Sequence, residues 1–239
     1  IIFGFSFLFT KEALEAIDVF QLLGFRFACA ALLLTFLQMM GLIKVNFKDK
    51  KTSILFLLAF VHPIIYFICE TVGVKLATSS EAGMMIALIP VSTTILAAIF
   101  LNEKPKIEQI GFIALSVIGV LFIILMTGSL NFSGRLGGFL FLLGAVLAAG
   151  FYNILSRQSS LEFTSIEITY IMMWAGALFF NGIAIIQKIN DNQFVNYLSP
   201  LNNLQVLLSV FYLGVLSSVL AFFIVHFILC NFCATQQIH

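Results

Sequence analysis

The sequence predicts an all-α protein, a polytopic bundle of transmembrane helices, and three observations carry that prediction. Apolar residues make up 61% of the chain and charged residues 10%, against about 45 to 50% and ~25% in soluble globular domains. The apolar residues fall in runs long enough, at about 1.5 Å per residue, to cross a hydrocarbon core of ~30 Å. The charges fall between those runs, in segments too short to hold a soluble domain. A net charge of +1 without a basic tail gives no support to a nucleic-acid partner.

Eight runs follow one another. Residues 1 to about 14 form a partial first span, with about ten apolar residues before Lys11, roughly half of what a crossing needs. Because the chain opens on Ile1, its N-terminus reads as cropped, and no basic leader or small-residue cleavage site marks a signal peptide. Further spans are expected over 19–42, 54–74, 83–101, 110–126, 136–155, 166–186 and 204–232. The fourth has the clearest ends. Thr78 and Glu81 stand in capping-box spacing, which satisfies two amides at a helix start and sets a carboxylate on its positive end. Asn102-Glu103-Lys104-Pro105 stops the helix, since proline cannot continue it and charges cannot stay in lipid. In the sixth span Gly144 with Ala148 and Ala145 with Ala149 have small-xxx-small spacing, the mark of a helix-packing face.

Charge placement predicts orientation. Lys44, Lys48, Lys50, Lys51, Lys104, Lys106 and Arg157 fall at one set of loops, and Lys11, Lys75, Arg135 and Lys188 at the other. The bias puts the lysine-rich loop between the second and third spans in the cytoplasm.

From Ala77 to Val120 the chain reads as two apolar runs joined by one charged turn. Ala77, Glu81, Ala82, Pro90, Leu101, Glu103, Pro105, Gly111 and Gly119 supply a small-residue lead-in, a mid-helix proline, an acidic turn and a glycine-spaced return helix. This stretch resembles the EamA domain of the drug/metabolite transporter superfamily, most strongly over residues 70–128 and more weakly towards both ends. The resemblance implies an inverted repeat of two five-helix units, a ten-helix fold of which about eight helices are present here. Two echoes in the residues point the same way: Gly4 to Lys11 with Gly150 to Arg157, and Ala77-Thr78 with Ala234-Thr235. Each pair is five spans apart, and an odd number of crossings inverts the second copy. The expected units are 1–128, with a truncated first helix, and 134–239, truncated after its third helix. The chain therefore reads as part of a longer polypeptide.

Within the spans Arg26 is the deepest charge, seven residues or roughly 10 Å inside the second. A lipid-facing arginine there costs about 2 to 3 kcal/mol or more, so the side chain is expected to face a cavity, a partner or, by snorkelling, the interface. Two readings stand: a structural pair with Glu70, or a fork for a substrate carboxylate or other anion. His62-Pro63 falls near the middle of the third span. Pro63 and Pro90 each free a backbone carbonyl, which at that depth is tolerated only against protein or a water-filled cavity. His62 is then a proton carrier, a substrate contact or a packing residue. Tyr66 shares its helix face, and Tyr152, Asn153 and Trp174 are expected to line the same pocket from the sixth and seventh spans. The substrate-binding candidates are thus Arg26, His62, Tyr66, Glu70, Tyr152, Asn153 and Trp174. Glu81, Pro90, Glu103, Pro105, Gly111 and Gly119 are read as structural. His226 is a weaker candidate, and Glu162 and Glu167 are placed at the cytoplasmic mouth.

There is no P-loop, no H-E-x-x-H and no cluster of Cys and His, so neither ATP hydrolysis nor a metal or other cofactor is expected, and no catalytic residue. Cys29, Cys69, Cys230 and Cys233 all lie in apolar segments and read as small hydrophobic filler. The resemblance implies a permease of a prokaryotic plasma membrane that moves amino acids, related metabolites or drug-like compounds by alternating access. Its expected partners are a small-molecule solute, the lipid bilayer, protons as a candidate coupling ion and a second copy as a candidate homodimer. A membrane-embedded lipid-modifying enzyme would need a charged cluster at one membrane face. A non-transporting scaffold or sensor would tolerate replacement of Arg26, His62 and Glu70.

Overall fold

The computed structural model describes residues 2–47, 52–102, 105–126, 132–160, 162–191, 196–221 and 224. Among these residues eight helices follow in order: α1 (Ile2–Ala13), α2 (Val19–Met39), α3 (Ser53–Leu76), α4 (Ser79–Phe100), α5 (Ile107–Met126), α6 (Phe132–Ser159), α7 (Ser165–Asn190) and α8 (Leu204–Leu220). A short 3₁₀ turn, Ser199–Asn202, leads into α8. No strand occurs among the described residues, so the protein is an all-α polytopic bundle. Helices α2, α3, α4, α7 and the part of α6 from Leu136 onward are long and apolar enough to cross a membrane.

Three helices depart from regularity, two of them, α3 and α4, at prolines. In α3 the chain widens to a π turn over Phe60–Tyr66, with Pro63 inside it; an i→i+5 turn is where a helix takes up a residue that cannot donate. In α4 the span expected over 83–101 is interrupted just before its mid-helix proline. The helix starts at Ser79, ends its first segment at Ile86, and resumes at Ile89 with Pro90 in its first turn. Proline suits a helix start, where its missing N–H has no partner to lose. The Thr78 cap is made as expected: Thr78 N donates to Glu81 Oε2 at 2.8 Å, and Glu81 N donates to Thr78 Oγ1 at 3.2 Å.

Helix α2 is the centre of the bundle, packed along α7 and crossed by α8, while α6 lies between α3 and α4. The core is aromatic where these meet, with Phe27 edge-on to Phe67 at 5.0 Å and stacked on Phe180 at 5.6 Å. Small residues allow the closest approaches. A Cβ on Gly176 would meet the Phe27 ring at 2.8 Å, and one on Gly24 would meet Asn181 Oδ1 at 2.8 Å. The outer surfaces of α4 and α5 stay apolar, with Ile99, Phe112, Leu115 and Ile118 all more than 60% exposed. Such a surface suits hydrocarbon and not water.

Lys11, expected among loop charges, is instead bonded into the bundle. Its ammonium donates to the carbonyls of Val74, Lys75 and Ala77 at 2.9, 3.0 and 2.7 Å. It thereby satisfies orphan acceptors at the end of α3 and adds a cation at the negative helix end.

Candidate functional site

One cavity of about 260 Å³ opens where α1, α2, α3, α4 and α6 meet, and Arg26, His62, Tyr66, Glu70, Tyr152 and Asn153 all line it. Local structure puts them there. The π turn of α3 carries His62 and Tyr66, and Glu70 follows one turn later. The break in α4 leaves Ile86 and Ile89 at the cavity edge. The small-residue face of α6 lets Ala149 approach and brings Tyr152 and Asn153 alongside.

Arg26, His62, Glu70 and Tyr152 are each at most 3% exposed, so their chemistry is turned inward. Arg26 Nε donates to Ser218 Oγ at 2.8 Å and Nη2 to Ser217 Oγ at 3.1 Å. Ser218 in turn donates to the Leu213 carbonyl at 2.8 Å, within a second π turn, Tyr212–Leu220. The face of the guanidinium rests on the Phe67 ring, 4.3 Å from its centroid, a cation–π contact strengthened by exclusion of water. His62 is held between two rings, stacked on Tyr66 at 4.6 Å and tilted against Tyr152 at 4.0 Å, with Phe67 edge-on at 5.3 Å. Asn153 donates to Thr93 Oγ1 at 2.9 Å, tying α6 to the second segment of α4.

Two expectations are corrected. The pairing of Arg26 with Glu70 is not made as an ion pair; the guanidinium bonds to Ser217 and Ser218, and Glu70 Oε2 is buried with no hydrogen-bond partner among the described residues. Trp174 is not among the cavity's lining residues. Its indole N–H donates to Thr35 Oγ1 at 3.1 Å on the α2–α7 seam, because packing turns that face of α7 towards α2.

The structural residues sort differently. Glu81 and Pro90 act as cap and helix start. Pro105 precedes α5, and a Cβ on Gly111 or Gly119 would meet no atom of the described residues within 4 Å. Glu103, His226, Cys230 and Cys233 lie outside the described residues. Glu167, placed at a cytoplasmic mouth, caps α7 in a second box with Thr164 and accepts from Asn46 N at 3.1 Å. Sequence reasoning missed Ser217 and Ser218. The signal was available, since two adjacent hydroxyls stand within the mostly apolar eighth span.

Helices of membrane length packed around a largely apolar cavity, which holds a buried cation and a buried carboxyl, define a multi-pass membrane protein. A family model described as the EamA-like transporter family matches residues 1–125 and 136–235. The chain belongs to that family and is a membrane transporter. It is 36% identical over 228 residues to the uncharacterized transporter YcxC of Bacillus subtilis (strain 168), an alignment covering 95% of this chain and 73% of that one. It is 29% identical over 101 residues to a probable terminal-alkyne amino-acid exporter of Streptantibioticus cattleyicolor (strain ATCC 35852 / DSM 46488 / JCM 4925 / NBRC 14057 / NRRL 8057), covering 42% of this chain and 33% of the exporter. A protein of known crystal structure has the same fold, with a TM-score of 0.52 at 14% identity, covering 98% of this chain and 95% of the other.

Proposed function

We propose that this protein is a permease moving a small organic solute with a carboxylate, of the amino-acid class, through the central cavity by alternating access in a bacterial plasma membrane. The observation that carries the reading is Arg26, whose charge is held by two neutral hydroxyls and an aromatic face and so stays available to an anionic group. A guanidinium fork matches a carboxylate in shape and charge. His62, Tyr66 and Tyr152 supply the apolar and aromatic wall that receives the rest of the solute, and Asn153 a polar one. The named activity of the Streptantibioticus relative, an amino-acid exporter, favours the same class.

Alternating access follows from an inverted repeat over residues 1–128 and 134–239. The irregular helices support that division. In α3 a π turn follows the seven α-helical residues Ser53–Ala59, and in α8 one follows the eight residues Leu204–Phe211. These are the third helices of the two proposed units. One π turn carries His62 and the other holds Arg26, so a rearrangement of either unit moves a wall of the cavity. Protons and a homodimer belong to the same proposal, as coupling ion and assembly.

Reconstitution in liposomes and uptake of labelled L-amino acids, with and without a pH gradient, tests the reading. Saturable uptake that falls in Arg26→Gln is the expected result. Uptake that ignores this substitution removes the assignment of the cavity.

A further inference from the structure

A second cavity, of about 350 Å³, shares no lining residue with the central one. It lies where α2 and α8 end and α7 begins: Leu34, Leu37 and Ile43 line it from α2 and the chain just beyond, Thr169 from α7, and Val215 and Val219 from α8. Every described lining residue but Thr169 is aliphatic, and the Thr169 hydroxyl is spent on the Ser165 carbonyl at 2.8 Å. A solute that needs hydrogen bonds gains nothing from such a wall, whereas hydrocarbon does. The groove also runs to a membrane face. Leu34 is five residues, about 8 Å, from the end of α2 at Met39, and Ile43 lies past that end. Met39, Met40 and Leu42, beside Ile43 in the chain, are 83, 60 and 67% exposed, so this end of α2 presents an apolar surface suited to lipid. Lys44 follows at once and is exposed, and Lys48, Lys50 and Lys51, with one acid, Asp49, come next in the sequence. The buried acid at this end of α7 is already engaged. Glu167 accepts from Asn46 N at 3.1 Å and from Thr164 N at 2.9 Å, which ties the segment carrying Lys44 to the start of α7.

We propose that the groove between α2, α7 and α8 holds one acyl chain of an anionic phospholipid, whose phosphate sits at Lys44. The aliphatic wall receives the chain, and the cation at its end selects the headgroup, as basic segments next to membrane helices attract anionic lipids. A zwitterionic lipid with the same chains fits the wall equally well but brings no net charge to Lys44. Val215 and Val219 belong to the π turn whose Ser217 and Ser218 hold Arg26, so a bound chain packs on the turn that fixes the buried cation. The proposal concerns a site outside the central cavity and stands or falls independently of the transport reading.

Photolabelling tests this directly. The purified protein in detergent micelles is mixed with phosphatidylglycerol or phosphatidylcholine of identical chains, each with a diazirine in one acyl chain, then irradiated and mapped by peptide mass spectrometry. Label from phosphatidylglycerol is expected to concentrate on residues 34–43, 166–169 and 215–220, above the level on the exposed face of α5 at Phe112 and Leu115. Phosphatidylcholine should label the groove about fivefold less, the worth of one lysine near an anionic headgroup. Lys44→Glu changes an exposed side chain and leaves the core intact, and it should bring the two lipids to equal yield. Val219→Trp, which fills the groove, should remove groove label from both. Groove label no denser than that on α5, equal label from the two lipids in the native protein, or a preference that survives Lys44→Glu each overturns the proposal. A groove left unlabelled because another stretch of polypeptide or a second copy covers it overturns it as well.

Discussion

The guanidinium carbon of Arg26 lies 4.3 Å from the centroid of the Phe67 ring, while its N–H groups donate to Ser217 and Ser218. A planar cation is needed for this, because a lysine ammonium is a point charge that cannot stack and bridge two hydroxyls at once. Arg26→Lys is therefore expected to lower the initial rate of solute uptake by about tenfold or more, equivalent to ~1.4 kcal/mol in the barrier. Full activity in Arg26→Lys, at equal amounts of folded protein in the membrane, would contradict the geometric role.

His62 fills a slot between Tyr66 and Tyr152. Truncation to alanine opens a gap there and is expected to cost about 3 kcal/mol, whereas His62→Phe keeps the stacking. Thermal unfolding in detergent separates the two effects: His62→Phe should melt near the native protein and His62→Ala well below it. Uptake retained in His62→Phe assigns the histidine to packing alone.

Gly150 sits where α6 meets α4, and a Cβ there would meet Ser92 Oγ at 2.5 Å and Leu96 Cδ1 at 2.8 Å. Gly150→Leu is expected to wedge these helices apart at a cost of about 1 to 3 kcal/mol. Gly111→Ala and Gly119→Ala meet open space among the described residues, so both should leave stability unchanged or slightly raised by helix propensity. A loss in the α5 variants equal to that of Gly150→Leu would show a packing partner beyond the described residues.

Tyr197, in the segment between α7 and α8, donates to Asn181 Oδ1 at 2.6 Å, and Asn181 donates to the Gly24 carbonyl at 3.0 Å. Burial pushes the Tyr197 hydroxyl up to about 12. A phenol raised in the folded state contributes stability that is present below its ordinary value near 10 and lost as pH rises towards 12. Unfolding midpoints should thus fall over that window in the native protein, and less steeply in Tyr197→Phe. Parallel curves for the two proteins would remove the assignment.

Local features were legible residue by residue. The Thr78–Glu81 cap needs only four consecutive residues, and it forms as expected. Thr164 and Glu167 have the same spacing and form the same box, a signal present but unread. Orientation within a span was not legible in the same way. Trp174 is expected at the cavity only because the seventh span belongs to the facing unit, and membership of a span does not set azimuth. In α2, buried Phe27 and exposed Leu32 and Phe36 are equally apolar, since lipid and core ask for the same side chains.

The amino-acid sequence alone determined that this chain crosses a membrane repeatedly as helices, where some of those helices begin and where prolines interrupt them, and that Arg26 and His62 lie at depth. Composition, proline and capping spacing act over a few residues, and the need to satisfy every backbone group in lipid leaves the helix as the only answer for such runs. Tertiary structure alone decided that Arg26 meets Ser217 and Ser218, separated from it by 191 and 192 residues, and that Glu70 Oε2 has no hydrogen-bond partner among the described residues. Those contacts depend on how α2, α3 and α8 rotate against one another. Close packing of small and aromatic residues sets that rotation, and no periodicity in a uniformly apolar helix records it.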